Sequence, residues 1–261
     1  QLYNGDSAYL ADLVQDAAQL IFTSPPYNIG KAYPQYNDLL PWDTYWEKQE
    51  AVWQQCYLAL RAGGILAVNI PFTLRRTHNK VLEIVPGYMR VVEVCTRLGF
   101  HYRDTLIWAK RQYNYQMYQG GHVGPEANPY LAPICEPVIL FSKETFTMQR
   151  IEKVMGQRQF PISRNLLYID DAGDKAQFRN SVSPFPIELA NVIITLFTEE
   201  GDLVVDPYAG SGTTLVAAHQ LGRKAIGIDI DPDTCEKTVE YISQQSFLLP
   251  EVKVEVERLL L

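Results

Sequence analysis

A block of hydroxyl, proline and aromatic side chains lies directly after an apolar run near the start of the chain. This block is Thr23-Ser24-Pro25-Pro26-Tyr27. Two consecutive prolines fix φ and remove two amide donors, so neighbouring carbonyl oxygens are available to accept hydrogen bonds from a ligand. Ser24 adds a hydroxyl acceptor and Tyr27 a flat aromatic face, which together suit a planar group with an exocyclic amine. Taken alone, the block is more simply explained as a turn that ends a strand.

A carboxylate followed by a glycine-rich turn forms a second candidate site far downstream. A predicted strand over 203–206 ends in Asp206, and the turn 207–212 leads into a predicted helix that begins at Thr213. The glycines of this turn permit positive φ and let a ligand approach the backbone closely. Asp229 ends the next predicted strand, at the spacing from which an acid accepts hydrogen bonds from both hydroxyls of a ribose.

The same turn argues against a phosphate-binding loop. No Gly-Lys-Ser/Thr follows it, and Asp206 would repel a pyrophosphate. A cofactor that carries both a cationic amino-acid group and a ribose fits the residues better. S-adenosylmethionine has both groups.

Together the two blocks resemble the S-adenosylmethionine-dependent amino-methyltransferases of DNA. Ser24-Pro25-Pro26-Tyr27 matches their catalytic pattern (Asp/Asn/Ser)-Pro-Pro-(Tyr/Phe), and the segment 206–212 resembles their cofactor motif. The catalytic block precedes the cofactor block, as in the circularly permuted β group of the family, where target recognition lies between them. Further similar segments lie at 4–6, 60–66, 135–143 and 183–186.

The resemblance implies a role for each matching residue. The implied catalytic residues are Ser24, Pro25, Pro26 and Tyr27. The residues implied to contact the cofactor are Asp6, Thr23, Ser183, Asp206, Pro207, Tyr208, Ala209, Gly210, Gly212, Thr213 and Asp229. Asp6 is expected near the adenine and Ser183 near the methionine carboxylate, although the family often has a histidine shortly before Ser183.

The implied reaction is methylation of an exocyclic amine in site-specific DNA, after the base has been flipped out of the duplex. Ser24 and the Pro25 carbonyl would accept hydrogen bonds from that amine. Serine at the first motif position resembles the cytosine-N4 enzymes, whereas aspartate resembles many adenine-N6 enzymes. We therefore expect cytosine N4, with adenine N6 as the alternative. Methylation of an RNA or protein amine, and a non-catalytic cofactor-binding regulator, are further alternatives.

A basic middle of the chain between two acidic ends is compatible with a DNA-binding face. The net charge is −7, but Lys and Arg outnumber Asp and Glu over 75–182. An ordinary, unevenly charged surface explains the same pattern. We expect a target-recognition insertion at about 144–180 and a DNA-contacting loop at about 110–132. The candidate nucleic-acid contacts are Asn28, Arg75, Arg76, Arg111, Tyr113, Tyr115, Arg158 and Arg164.

The elements that must position these residues alternate along the chain. Strands are predicted over about 19–23, 65–70, 101–110, 137–142, 203–206, 225–229 and 251–258, the last at a sheet edge. Helices are predicted over about 7–17, 42–60, 79–98, 186–198, 213–221 and 232–244, with an interruption at Pro86-Gly87 and a helix-ending turn at 61–64. The alternation predicts an α/β domain over 1–261, with a mostly parallel sheet and helices on both faces. The resemblance makes this the Rossmann-like methyltransferase fold with permuted motif order.

Composition also indicates the kind of protein, its compartment and its partners. Hydrophobic residues make up 47% of the chain, and no apolar run approaches the roughly 20 residues that span a bilayer. The four cysteines are scattered, without a CxxC pair, so we expect free thiols in the cytoplasm and no metal site. None of them follows a proline, as the nucleophile of C5-cytosine methylation does. We expect double-stranded DNA as partner, with a cognate restriction endonuclease and the choice of monomer or homodimer left open. Because Gln1 lies inside a predicted structured segment, we also expect residues upstream of it.

Overall fold

Strands and helices alternate in the structure, a computed structural model that describes residues 1–110, 134–144, 164–170, 184–245 and 256–258. The strands are β1 (Leu2–Asn4), β2 (Ala18–Thr23), β3 (Leu60–Asn69), β4 (Leu74–His78), β5 (Val81–Val85), β6 (Phe100–Lys110), β7 (Cys135–Lys143), β8 (Leu166–Ile169), β9 (Leu203–Asp206), β10 (Lys224–Asp229) and β11 (Val256–Arg258). The helices are α1 (Leu10–Leu13), α2 (Trp42–Ala59), α3 (Gly87–Arg97), α4 (Ile187–Phe197), α5 (Thr213–Gln220) and α6 (Pro232–Gln245), with a 3₁₀ turn at Ser7–Tyr9 before α1.

Nine of these strands form one sheet in the order β11-β1-β10-β9-β2-β3-β7-β6-β8. From β11 to β3 each strand runs parallel to its neighbours. β7 runs antiparallel to β3 and β6, and β8 runs parallel to β6. The mostly parallel sheet predicted from the sequence is confirmed. β2 and β9, which are far apart in the sequence, lie side by side near the centre.

Strand β2 shows why helices cover both faces of the sheet. All six of its residues are buried, and successive side chains of a strand point to opposite faces. Ile21 lies in one hydrophobic core with Trp53 of α2 and side chains of α3. Leu20 and Phe22 lie in a second core with Ile193 of α4 and side chains of α5. Because the strand is apolar on both sides, the sheet can only be stable between two helical layers, as predicted.

The segment 74–85 differs from the prediction. The first part of the helix predicted over 79–98 is instead a hairpin, in which β4 pairs antiparallel with β5. Asn79 and Lys80 form its two-residue turn, with φ of 50° and 63°. Positive φ at both central residues is the geometry that matches the twist of two hairpin strands, and asparagine adopts it readily. The helix begins only after Pro86, as α3.

Three other features differ from the elements predicted from the sequence. The predicted helix over 7–17 ends early, because Val14 is extended with φ −138° and ψ 115°. The segment 61–64, predicted as a turn, continues β3, and the pairing with β2 shifts register between Ala18 and Leu20 to accommodate it. β8 was not predicted and lies inside the expected recognition insertion. The described end of the strand predicted over 251–258 is β11, at the sheet edge as expected.

The expected DNA-contacting loop at 110–132 and most of the insertion at 144–180 lie outside the described residues. The organisation of the chain as one catalytic domain with these two additions stays a prediction. None of the helices in the described ranges has the length and apolar character that a membrane crossing requires.

Candidate active site

Five strand ends converge at one edge of the sheet. β1, β2, β3, β9 and β10 are parallel, so their carboxyl ends face the same side, and they end in Asn4, Thr23, Asn69, Asp206 and Asp229. Thr23 Oγ1 donates a hydrogen bond to Asp206 Oδ1 at 2.6 Å, across 183 residues of sequence. Ligands of open α/β sheets bind at this edge, where neighbouring strands connect in opposite directions. The pairing of β2 with β9 therefore joins the two sequence blocks into one site.

Asp206 is buried and holds the two blocks together. Besides Thr23, Thr214 Oγ1 donates to Asp206 Oδ2 at 2.7 Å and the Tyr208 amide donates to Oδ1 at 3.1 Å. Burial raises the pKa of Asp206, and the three hydrogen bonds oppose that rise. Both oxygens face protein donors, so this carboxylate supports the wall of the cavity described below and does not line it. The cofactor contact that the resemblance implies for Asp206 stays a prediction.

The glycine-rich turn has the close backbone approach that its composition predicts. Gly210 and Gly212 have φ of 49° and 73°. A Cβ on Gly212 would lie 2.7 Å from Thr238 Cγ2, so glycine is needed here for packing as well as for φ. Thr238 Oγ1 donates to the Gly210 carbonyl at 2.5 Å, which fixes the turn against α6.

Asp229 ends β10 with its carboxylate at the cavity. Its Oδ2 accepts from the Gly210 amide and its Oδ1 from the Asp231 amide, both at 2.9 Å. Burial raises the pKa of Asp229 to about 6, while these two hydrogen bonds lower it. The two hydroxyls of a ribose could add a second donor to each oxygen, beside the amides, and would stabilise the ionised form further. Asp6 lies beside it on the loop after β1, exposed, and caps the 3₁₀ turn by accepting from the Ala8 amide at 2.9 Å.

One cavity of about 820 Å³ connects the two blocks. Asp6, Tyr208, Gly210 and Asp229 line one end, which we call the cofactor end. The block 24–27 lines the other, which we call the target end. The volume is typical of a site for a small molecule and is large enough for two reactants to meet.

The catalytic block at the target end is held by hydrogen bonds among its own neighbours. Ser24 Oγ and the Tyr27 hydroxyl are 2.8 Å apart. Tyr45 of α2 donates to the Pro26 carbonyl at 2.8 Å, which fixes the second proline. The Tyr27 hydroxyl also points at Asn69 Oδ1, 3.4 Å away. Burial, with the charge of Glu136, raises the pKa of Tyr27 well above its usual value, so the phenol stays neutral near Ser24.

A charged pair that the sequence pattern did not reveal lies on the same wall. Lys110, at the end of β6, and Glu136, at the start of β7, form an ion pair of 2.8 Å that lines the target end. β7 is antiparallel, so its amino end lies at the edge where the parallel strands finish. The sequence places Lys110 at the end of one predicted strand and Glu136 just before the strand predicted over 137–142. It does not give the direction in which that second strand runs in the sheet.

The loop after the catalytic block was also missed as part of the site. Asp38 is buried and accepts from the amides of Asn28 at 2.7 Å, Ile29 at 3.0 Å and Lys31 at 2.9 Å. This carboxylate folds the loop so that Tyr33 and Tyr36 line the cavity. No periodic pattern surrounds Asp38, so no local signal could have identified it.

Two of the candidate nucleic-acid contacts have structural roles. The Asn28 side chain is buried and exchanges hydrogen bonds with the backbone of Leu40, at 2.9 and 2.8 Å. Arg76 is buried, pairs with Glu83 at 2.7 Å and lies over the ring of Trp42, 4.3 Å from its centroid. Neither side chain presents a surface to a phosphate, so we assign both to the framework.

Some of the other predicted site residues lie in the described ranges, and the rest lie outside them. Arg75 lies half-buried on the hairpin, and Arg164 is exposed just before β8. Thr213 begins α5 behind the cavity, while Pro207 and Ala209 line it. Arg111, Tyr113, Tyr115, Arg158 and Ser183 lie outside the described residues. No cluster of potential metal ligands occurs within the described ranges.

Fold and site together define an α/β protein with one cavity at the carboxyl edge of its sheet, lined by both sequence blocks. Residues 18–240 match the model of a protein family described as DNA methylase (N6_N4_Mtase). The chain belongs to this family, the amino-methyltransferases of DNA that use S-adenosylmethionine, as the sequence resemblance implied.

Individual relatives are similar over most of the chain. The type II methyltransferase M.MthZI of Methanothermobacter thermautotrophicus is 25% identical, over 88% of this chain and 73% of its own. The DNA adenine methyltransferase YhdJ of Escherichia coli is 28% identical, over 89% and 79%.

Two solved structures have the same fold. The putative DNA modification methylase TTHA0409 of Thermus thermophilus, complexed with S-adenosyl-L-methionine, has a TM-score of 0.71 at 25% identity, covering 100% of this chain and 99% of that one. The cytosine-N4-specific PvuII DNA methyltransferase has a TM-score of 0.68 at 20% identity, covering 98% and 88%. The Rossmann-like methyltransferase fold is thereby confirmed.

Proposed function

We propose that this protein methylates the N4 amine of cytosine at a specific site in duplex DNA, after flipping that base into the target end of the cavity. The observation that carries the proposal is the neutral hydroxyl of Ser24, which stands at the first position of the catalytic block, 2.8 Å from the Tyr27 hydroxyl. The relatives include an adenine enzyme and the fold neighbours a cytosine-N4 enzyme, so adenine N6 is the alternative.

The chain's own groups suit the activation of an exocyclic amine. The lone pair of such an amine is delocalised into the ring, which makes it a poor nucleophile. Ser24 Oγ and the Pro25 carbonyl would accept its two hydrogens, favour a pyramidal nitrogen and stabilise the positive charge that develops there. As the new N–C bond forms, the S–C bond of the cofactor would break and its electron pair would stay on sulfur, which gives a neutral thioether. The methylated nitrogen then loses one proton to solvent water, which restores a neutral amine. Bound S-adenosylmethionine supplies the electrophilic methyl group on a sulfonium.

The residues at the cofactor end fit that cofactor. Asp229 would accept hydrogen bonds from the ribose hydroxyls, and Gly210, without a Cβ, leaves room beside it. Tyr208 is fixed by Gln49, which accepts its hydroxyl hydrogen at 3.1 Å. Asp6 and Ser183 would lie toward the adenine and the methionine carboxylate, as the resemblance implies.

DNA contacts would come from the basic middle of the chain. Arg75 and Arg164 belong to the described residues, and Arg111, Tyr113, Tyr115 and Arg158 to segments beyond them. We propose 144–180 as the target-recognition segment, since it separates the two sequence blocks. Alanine at Arg158 and Arg164 should then change the sequence preference, and an unchanged preference would contradict this assignment. We propose a cytoplasmic location, in line with the scattered cysteines, and leave the existence of a cognate restriction endonuclease open.

Mass spectrometry of nucleosides tests the reaction directly. Duplex DNA, tRNA and a protein extract are each incubated with the protein and S-adenosylmethionine. We expect N4-methylcytosine in the duplex DNA and no methylation of the other two. N6-methyladenine without N4-methylcytosine would refute the choice of base, and methylation of tRNA or protein alone would refute the substrate class.

Variants at the catalytic block test the residues. Ser24→Ala and Tyr27→Phe should lower kcat by about 10²–10³, the usual cost of a lost electrostatic contact to a transition state. Cofactor affinity, measured by calorimetry, should stay near that of the parent protein, because both residues lie at the target end. Unchanged methylation in both variants would require a different catalytic assignment.

A further inference from the structure

The ion pair of Lys110 and Glu136 is held rigidly at the target end. The side chains of both residues are only 12% and 15% exposed, and their charged atoms are 2.8 Å apart. Lys110 Nζ also lies 4.7 Å from the centroid of Trp108, whose indole donates to the Ile169 carbonyl at 2.9 Å. An ammonium fixed by a carboxylate and an aromatic face has lost most of its conformational freedom before any ligand arrives.

Stability alone gives little reason for this pair. Removing two charges from water costs several kcal/mol per ion, and apolar side chains of similar volume often serve the fold equally well. Lys110, Glu136 and Trp108 all line the cavity, and Glu136 Oε2 lies 3.5 Å from the Tyr27 hydroxyl. A continuous line of polar groups thus runs from Ser24 through Tyr27 to Glu136 and Lys110. Ser24 is an acceptor at one end of this line and Lys110 a cation at the other, with Tyr27 and Glu136 between them.

We propose that Lys110 determines the choice of base by donating hydrogen bonds to the ring nitrogen N3 and the O2 oxygen of a flipped cytosine, with Glu136 as its positioning residue. The inference rests on the proposed function. A flipped base is read along its Watson–Crick edge, which in cytosine carries the amine, then N3, then O2. That order of one donor and two acceptors matches an acceptor at Ser24 followed by a cation at Lys110.

Adenine matches the same wall less well. Its edge carries the amine and the acceptor N1, but then a C–H group where cytosine has O2. Lys110 would keep its ion pair with Glu136 and could donate to N1, but the second acceptor that O2 provides in cytosine is missing, so adenine forms one hydrogen bond fewer with this cation. Lys110 therefore favours cytosine over adenine even though Ser24 could accept from either amine.

Binding measurements on matched DNA duplexes test the proposal. The methylated site is first mapped in DNA from cells that express the protein. One duplex carries that site with its cytosine, and a second has an abasic position in place of the target base. Dissociation constants are measured by fluorescence anisotropy for the full chain with S-adenosylhomocysteine bound. Lys110→Met and Glu136→Gln are compared with Lys224→Met. Lys224 is exposed at the first position of β10, at the end of that strand away from the cavity, so this variant removes the same charge far from the site.

We expect Lys110→Met to weaken binding to the cytosine duplex by about 10- to 100-fold, the usual range for hydrogen bonds to a charged group. Binding to the abasic duplex should change less than about threefold, because no base edge is present there. Glu136→Gln should weaken cytosine binding selectively in the same way, and Lys224→Met should not discriminate between the duplexes.

Three outcomes would overturn the inference. Equal losses on both duplexes would mean that Lys110 acts on the fold or on the DNA backbone. Parent-like binding of Lys110→Met to the cytosine duplex would show that the cation makes no contact. N6-methyladenine as the product of the unmodified protein would refute the proposed base and this inference together, whereas the first two outcomes leave the proposed function intact.

Discussion

The hydrogen bond between Thr23 and Asp206 offers a sharp test of how the two halves of the site are joined. Thr23→Val keeps the shape of the side chain but removes the donor 2.6 Å from Asp206 Oδ1. Hydrogen bonds to charged groups contribute about 1.5–3 kcal/mol to stability. For a chain of this size, each kcal/mol shifts the melting temperature by about 2–4 °C. We therefore expect a loss of about 3–12 °C.

The pH dependence of that loss identifies its cause. The pKa of Asp206 is raised in the folded protein by burial, so ionisation of this carboxyl destabilises the fold as the pH rises above its unfolded value. Thr23→Val removes one of the hydrogen bonds that favour the ionised form, and so raises the pKa of Asp206 further. The stability deficit of the variant should consequently grow with pH, from about 1 kcal/mol where the carboxyl is protonated to the full value where it is ionised.

Thermal unfolding by circular dichroism, followed from about pH 4, near the usual pKa of an aspartate, to about pH 8, measures this deficit. Thr214→Val removes the donor to the other oxygen of Asp206 and should behave alike. Thr213→Val is the matched control, because its hydroxyl is 3.0 Å from that of Ser211 and not from a carboxylate. A deficit in Thr23→Val that is absent, or that is the same at every pH, would refute the role given to Asp206.

Three more predictions concern the cofactor end and the hairpin. The pKa of Asp229 is raised to about 6, and the hydroxyl donors of a bound ribose would favour its ionised form. The affinity for S-adenosylmethionine, measured by calorimetry, should therefore fall about tenfold from pH 7.5 to pH 5. If Asp229→Asn shows the same fall, this carboxyl is not its cause. In Gly212→Ala the new Cβ would lie 2.7 Å from Thr238, so the loss in free energy of unfolding, measured with denaturant, should exceed the about 1–3 kcal/mol of a strained φ alone. Gly201→Ala, which also has a positive φ but open space around it, measures the cost of φ by itself. Equal losses in the two variants would contradict the contact. Arg76→Met should lower the melting temperature but leave the salt dependence of DNA binding unchanged, and a shallower slope would instead indicate a phosphate contact.

Local patterns were enough to predict most of the framework. The apolar run of β2 and the glycine turn after Asp206 are short-range signals, because a strand buried on both faces and a turn with positive φ each restrict the residues allowed at adjacent positions. The part of the hairpin over 79–85 was predicted as helix because its turn uses Asn79 and Lys80 without glycine. The β-branched residues Val81, Ile84 and Val85 favour the strand that forms there.

The sequence by itself determined the class of this protein, the order of its two motifs and the acid that ends β10. The motifs and the acid depend on residue types within a few positions of one another, and the order of the motifs is read directly along the chain. Only the tertiary structure decided that Asp206 supports the site from behind, that Asp38 folds the loop over it, and that Lys110 meets Glu136 at the target end. These contacts join positions distant in sequence or lacking any local pattern, and they form because β2 pairs with β9 and β7 runs antiparallel between β3 and β6. Strand direction and pairing order are set by the whole core, and they determine which polar side chains share a cavity.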